Sequence, residues 1–308
     1  MQVDVVLLNW NSGAFTIHCI NSLRAGTKIP ERIVVVDNAS TDNSADTISR
    51  QFPEVKLIRN DKNLGFTGGN NIGIRIFLKE RIDYIWLLNN DTEVDRHCLE
   101  YLLNEFAKDP TVSATTGKIL YPPPDKNIWY AGATFNYWTL RTYDRGALEK
   151  DEGQYDEAED VPFISGCCMM VRRNAFEKIG LLDQNFFAYS EDFDWCLRAL
   201  KSGLRLRYVP NAVLYHRVSA SIQKNRGKIS GGTTSLLSVY VNTRNRIFII
   251  RKHASNINQF ATAMIASVWW FLYYALALFI LFRWDKLQSL FRGVKDGLFT
   301  RLHYPKYL

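Results

Sequence analysis

The sequence is short of several features that would place it in large protein classes. Its 308 residues hold five cysteines, Cys19, Cys98, Cys167, Cys168 and Cys196, and no C-x-x-C pair. An odd number set mostly in apolar runs argues against a disulfide framework and fits reduced, buried thiols in a cytosolic protein. The start, MQVDVVLLNWNS, lacks the basic residues and small-residue cleavage site of a signal peptide and reads as a first β-strand. There is no G-x-G-x-x-G followed by an acid at dinucleotide spacing, which disfavours a nicotinamide cofactor. A P-loop enzyme is disfavoured by the absence of G-x-x-x-x-G-K-[ST], and a serine hydrolase by that of G-x-S-x-G. Acids are scarce at the C-terminal end. Residues 217–308 carry 14 Lys/Arg but only Asp285 and Asp296, a charge of +12, while the other 216 residues carry 24 basic and 29 acidic side chains, or −5. A nucleic-acid binder of uniform basicity would not divide this way. A basic end on a mildly acidic body predicts contact with an anionic surface of lipid headgroups and no nucleic-acid partner.

What is present is an alternation of strand and helix patterns over the first 110 residues. Residues 3–8, 33–36, 55–58 and 84–88 read as short buried strands. Between and after them lie helical spacings, with Cys19, Ile20 and Leu23, then Ala45, Ile48 and Phe52, then residues 71–78, and finally Leu99, Leu102 and Phe106. This order predicts an α/β fold with a mainly parallel sheet flanked by helices, in which ligands bind beyond the carboxyl ends of the strands. The polar groups Asn9-Trp10-Asn11, Asp37 and Asn89-Asn90-Asp91 fall at those ends, which makes Asn9 and Asn90 candidate donor contacts. Residues 149–160 hold seven acids and one lysine and read as an exposed, mobile loop. Residues 163–172 read as another strand, and 190–203 as a helix capped by Ser190 and ended by Gly203. The 29 residues 254–282 carry no charge, enough apolar length to cross a bilayer, but their Trp and Tyr cluster at the centre and basic residues flank both sides. This favours a segment lying in or dipping into the membrane from the cytoplasmic face, followed by an interfacial helix with Trp284, Leu287, Phe291, Val294 and Leu298 on one face.

Four places carry residue types suited to chemistry. Asp91 ends a buried strand, where it suits a metal, a ribose or the cap of the next structure. His216 closes Val213-Leu214-Tyr215 and reads either as structural or as a metal ligand. Glu191, Asp192 and Asp194 cluster at a helix start, where the dipole favours an ionised carboxylate able to accept a proton. The segment from Gly65 to Asn71 precedes a helix and offers backbone N–H groups to a diphosphate.

Taken in order, VVLLNWNS, IVVVDNASTDNS, NLGFTGGNNIGI, WLLNNDTEV, FISGCCMMVRR, FFAYSEDFDWCLRALKSG and YHRVSAS resemble the family 2 glycosyltransferases, specifically their rhamnosyltransferase-like branch, over roughly residues 3–221. The resemblance implies the GT-A fold and an inverting, metal-dependent hexosyltransferase. Its donor would be a dTDP- or UDP-sugar, with rhamnose the sugar favoured, and its acceptor a glycan or lipid-linked saccharide for cell-surface polysaccharide. It implies that Trp10 stacks on the base, that Asp37 bonds base or ribose, and that Asn70 and Asn71 contact the nucleotide. Asp91 matches the last acid of the metal-binding D-x-D for Mg2+ or Mn2+, and His216 a histidine that helps hold metal or diphosphate. Asp192 matches the catalytic base, with Glu191 beside it. Asn89 and Asn90 replace aspartates of the wider superfamily, so the metal has fewer anionic ligands here. The expected division is a catalytic domain over 1–250, with a nucleotide half to 110 and an acceptor half beyond, and a helical membrane-associated tail over 251–308. The rivals are a nucleotide-sugar pyrophosphorylase, which would need a basic Gly-rich first loop, and a non-catalytic carbohydrate-binding protein of the same fold.

Overall fold

The protein is described by a computed structural model covering residues 1–80, 82–124, 127–217 and 235–303; the end of the YHRVSAS motif, residues 218–221, lies outside the described residues. Strands β1 (Val3–Asn9), β2 (Arg32–Asp37), β3 (Lys56–Arg59) and β4 (Tyr84–Asn89) run parallel in the order β3-β2-β1-β4. Nearly all Val, Ile and Leu side chains of β1, β2 and β4 are buried, on both faces, as expected of a parallel sheet covered by helices, while Leu57 and Ile58 of the edge strand β3 are half-buried. Asp4 interrupts this apolar run. It is wholly buried and pairs with Arg32, its neighbour in register on β2.

Helices α1 (Gly13–Arg24), α2 (Ser44–Gln51) and α3 (Gly65–Leu78) make the crossovers. The third starts six residues before the onset that periodicity suggests. Its glycines lower intrinsic helix propensity, which hides it, but they let it lie flush on the sheet. A Cβ on Gly69 would stand 2.2 Å from Leu8 Cδ1.

The second half adds β5 (Thr92–Val94), α4 (Cys98–Lys108), β6 (Val112–Leu120) and β7 (Ile128–Tyr130). A separate hairpin follows, β8 (Ala133–Asn136) with β9 (Arg141–Asp144). After β10 (Glu159–Asp160), strand β11 (Cys168–Arg172) enters antiparallel between β4 and β6 and so joins the two halves into one sheet. The strand expected from residue 163 is shorter, because residues 163–167 turn away to line a cleft. Helices α5 (Arg173–Ile179) and α6 (Glu191–Lys201) precede β12 (Arg205–His216), which lies parallel to β6. The acidic segment 149–160 is exposed, yet it is tethered rather than loose. Buried Lys118 on β6 places its ammonium 2.9 Å from Asp151 and also pairs with Asp156.

Three helices close the chain: α7 (Leu236–His253), α8 (Ile257–Ile280) and α9 (Trp284–Phe299). Phe248, Ile249 and Ile250 of α7 belong to the main core. Helix α9 packs on α7 through Gly293 and Gly297, where a Cβ would meet Tyr240 O at 2.7 Å and Ile247 Cδ1 at 2.8 Å. Helix α8 has 24 residues, a length of about 36 Å, and of its apolar side chains only Ala263, Phe271 and Leu278 are buried. Trp269, Leu272, Tyr273, Leu276 and Phe279 face solvent, as do Trp284, Phe291 and Leu298 of α9. All five cysteines are free and buried.

Candidate active site

The parallel registers Asn9↔Asp37 and Leu8↔Asn89 bring three polar strand ends to one rim. Their roles differ from what residue type suggests. Asn9 is fully enclosed: its amide nitrogen donates to Asp37 Oδ1 at 2.7 Å and Ser44 Oγ at 2.9 Å, and its carbonyl accepts from Thr16 Oγ1 at 2.8 Å. It braces the rim and has no surface for a ligand. The side chains of Asn70 and Asn71 are likewise bonded within the fold. Asn70 donates back to Phe66 O, and both ends of the Asn71 amide bond the backbone of Leu182, tying α3 to the segment before α6. Asn90 donates to Ser12 Oγ and Thr16 Oγ1, both at 2.7 Å, and so pins the β1–α1 turn to the end of β4. Asp37 is nearly closed by Asn9 and Ser40, whereas Trp10 is 55% exposed and presents the aromatic surface of this rim.

Asp91 and His216, far apart in sequence, meet in space. Pairing of β5 with β12 sets His216 opposite Thr92, and Arg217 N donates to Asp91 O at 2.9 Å. His216 Nε2 then lies 3.0 Å from Asp91 Oδ1, and its ring stands edge-on to Trp129 with centroids 4.8 Å apart. Asp91 Oδ1 and His216 Nδ1 are buried without an aligned hydrogen bond among the described residues. An orphaned carboxylate oxygen beside an imidazole fits Mg2+ or Mn2+. Adjacent ligands of such an ion at about 2.1 Å stand roughly 3 Å apart. No group of three or more His, Cys, Asp or Glu suited to a metal exists among the described residues, so diphosphate oxygens and water would complete the shell.

The start of α6 lines the same cleft as His216. Tyr189 and Ser190 both take positive φ, 66° and 71°, and Ser190 makes no side-chain cap, contrary to the capped start that its type suggests. The turn is held instead from outside. Asn245 of α7 donates to Ala188 O at 2.8 Å and Tyr189 O at 2.6 Å. Gly65, at φ +71°, passes so close beneath that a Cβ would fall 2.2 Å from Phe187 O.

The three acids of α6 then part company. Asp192 faces the cleft, with Oδ2 accepting from Gly166 N at 2.9 Å and Oδ1 from Phe193 N at 2.8 Å. Burial raises its pKa against those two bonds. Glu191 is buried beside it with Oε2 unpartnered among the described residues, and burial together with the Asp192 charge pushes it well above the usual range, toward the neutral acid. Asp194 turns the other way into a closed ion cluster, 2.9 Å from Arg198 Nε, 2.6 Å from Lys252 Nζ and 2.8 Å from His253 Nε2. Burial opposes its charge, but His253, Arg198 and Lys252 outweigh it and hold the carboxyl well below its ordinary value. It has no access to a substrate.

Asp192, Glu191, His216 and Asn89 share a cleft of about 530 Å³ with Phe66, Trp129, Phe163, Tyr189 and Asn242. A third acid, Asp144 on β9, lines it as well. Asp144 opens to the water of the cleft yet lies among protein on most sides; that enclosure, with the Asp192 charge, pushes its carboxyl up to about 6. Nothing in the sequence around Asp144 or Trp129 singled them out, because neither the short hairpin that carries Asp144 nor the three-residue strand β7 that carries Trp129 has a motif, and only long-range packing delivers them.

The family model described as "Glycosyl transferase family 2" matches residues 4–180. The N-acetylglucosaminyl-diphospho-decaprenol L-rhamnosyltransferase of Mycobacterium tuberculosis is 26% identical over 247 residues, 71% of this chain and 77% of its own. The dTDP-rhamnosyl transferase RfbF of Shigella flexneri is 27% identical over 225 residues, 72% of this chain and 71% of its own. Among solved structures, the mannosyltransferase PcManGT from Pyrobaculum calidifontis, in complex with GDP-Man and Mn2+, superposes with TM-score 0.56 at 18% identity, covering 97% of this chain and 88% of its own. GalNAc-T7 with UDP, GalNAc and Mn2+ superposes with TM-score 0.57 at 20% identity over 70% of this chain, which spans only 44% of GalNAc-T7. At these identities the structural likeness establishes the fold, a GT-A architecture.

Proposed function

The chain belongs to glycosyl transferase family 2, and from that premise we propose a specific reaction: inverting transfer of a sugar, rhamnose by preference, from a dTDP- or UDP-linked donor to a lipid-linked saccharide. The reading rests above all on Asp192, which lines the same cleft as His216 and has both carboxylate oxygens held by backbone N–H groups. Asp192 takes the proton of the acceptor hydroxyl as its oxygen attacks the anomeric carbon. The bond from that carbon to the diphosphate breaks, and the nucleoside diphosphate leaves with the electron pair. Glu191, kept neutral by burial, leaves Asp192 as the cluster's proton acceptor and offers an O–H to an acceptor oxygen. Asp91 and His216 would hold Mg2+ or Mn2+, which when bound neutralises charge developing on the diphosphate. Trp10 offers its exposed face to the base. The lipid acceptor and the rhamnosyl donor are carried over from the names of the two relatives, and the exposed apolar helix α8 supports work at the cytoplasmic face of a membrane.

The test is Asp192→Asn, which keeps shape and removes basicity. Transfer should fall by about 10²-fold or more while donor affinity holds. Near-normal turnover would show that the base lies elsewhere, and Asp144 would be the next residue to examine. Chelation should abolish transfer and added Mn2+ or Mg2+ restore it; full activity in excess chelator would leave His216 as a plain hydrogen-bond donor to the diphosphate.

A further inference from the structure

The hairpin β8–β9 links the cleft to the C-terminal helices. Thr142 and Asp144 line the cleft, and strand alternation turns Arg141 and Tyr143 to the opposite face. On that side Arg246 of α7 holds the hairpin tip, donating to Thr139 O and Leu140 O, while its Nε donates to Ser267 Oγ of α8 at 3.0 Å. Gln259 of α8 adds a bond to Tyr137 O at 2.6 Å. All of these acceptors of Arg246 are neutral. Arg141 follows Leu140 directly and is half-buried, and its side chain makes no ion pair or hydrogen bond among the described residues. Burial first, and then the charge of Arg141, weigh against the charged form of Arg246. Arginine nonetheless stays protonated in proteins, so an anion beside this pair would be stabilised by both charges. Two guanidiniums with no carboxylate partner among the described residues, beside an exposed apolar helix, suit a phosphate, whose oxygens each planar fork can meet two at a time.

We propose that Arg141, backed by Arg246, is a binding site for a lipid-borne phosphate at the membrane side of the cleft. The proposal rests on the lipid-linked acceptor read above and assigns its charged group a place. At about 3.3 Å per residue, Arg141 lies roughly 10 Å along β9 from Asp144, a span fitting an acceptor sugar at the cleft with its phosphate at the hairpin edge. The phosphate is either the acceptor's own diphosphate or that of a bilayer headgroup, and two probes separate them. Full-length protein is titrated with farnesyl diphosphate, with farnesol as the uncharged control, and floated with phosphatidylglycerol or phosphatidylcholine vesicles. Arg141→Gln should weaken farnesyl diphosphate binding at least ten-fold, leaving farnesol binding, melting temperature and donor hydrolysis to nucleoside diphosphate unchanged. Arg141→Lys should recover part of the loss. A ten-fold fall confined to phosphatidylglycerol vesicles would assign the site to bilayer phosphate. Unchanged affinity for both probes overturns the proposal. Failure of the wild-type protein to release nucleoside diphosphate from any nucleotide-sugar would instead strike the transferase reading, independently of Arg141.

Discussion

At the scale of single residues, the cleft sorts like charges by environment. Asp192 must be ionised to act as a base, and burial raises its pKa. The acid limb of kcat/KM should therefore lie above the ordinary carboxylate value of about 4, with activity lost as pH falls through it. Burial, helped by the Asp192 charge, in turn raises the Asp144 carboxyl to about 6. Asp192→Asn should abolish that limb in the pH–rate profile of the residual activity. A limb at pH 4 or below, unmoved by the substitution, would mean that it does not report Asp192.

At the scale of elements, helix α6 is positioned by α7, not by its own cap. Asn245 holds the turn before α6, while Lys252 and His253 reach Asp194 within it, and Lys252 also pairs with buried Asp183. Asp194→Asn leaves three buried basic groups short of their counter-charge and should cost roughly 3–5 kcal/mol in urea unfolding. Because the Asp194 pKa is depressed in the fold, its contribution is fully present above the ordinary carboxylate pKa and is lost as pH falls below about 4. The variant should thus lose less further stability on acidification than the wild type. Packing of α9 on α7 offers a separate test. In Gly293→Val the added Cβ would meet Tyr240 O and Thr243 Cβ at 2.7 and 2.9 Å, backbone and short side chain that yield little. Hydrogen exchange in α9 should rise and stability fall by about 1–3 kcal/mol, with nucleotide binding retained.

At the scale of the whole molecule, the exposed face of α8 is the feature that a water-soluble fold does not need. Apolar side chains along about 36 Å of helix, with exposed aromatics of α9 beside it, exceed the patches usual on monomeric proteins. The full chain should float with anionic vesicles and release partly in high salt, as surface charge is screened. Replacing exposed Leu272 and Leu276 together with glutamate should abolish flotation without lowering the melting temperature. Retained flotation would place the membrane contact elsewhere. Truncation after Lys252 is a poor test, since it removes His253 from the cluster around Asp194 and uncovers the α9-facing side of α7.

The order of strands and helices, the rim of polar strand ends and the motif acids were all legible in the sequence, because they rest on local periodicity, turn chemistry and motif order. Asp91, His216 and Asp192 could be named from it. Other choices needed the tertiary structure. Residues 192 and 194 lie two steps apart on a helix, about 200° around its axis. Which of them faces the cleft depends on how α7 holds the helix, and no local signal encodes that. The same holds for Asn9, Asn70 and Asn71, whose amides suit a ligand or a backbone equally and are taken by the fold. The glycines of α3 concealed a helix, since their reason lies in Leu8 across the interface. Asp144 and Arg141 became visible only when long-range packing laid a motif-free hairpin between the cleft and the C-terminal helices.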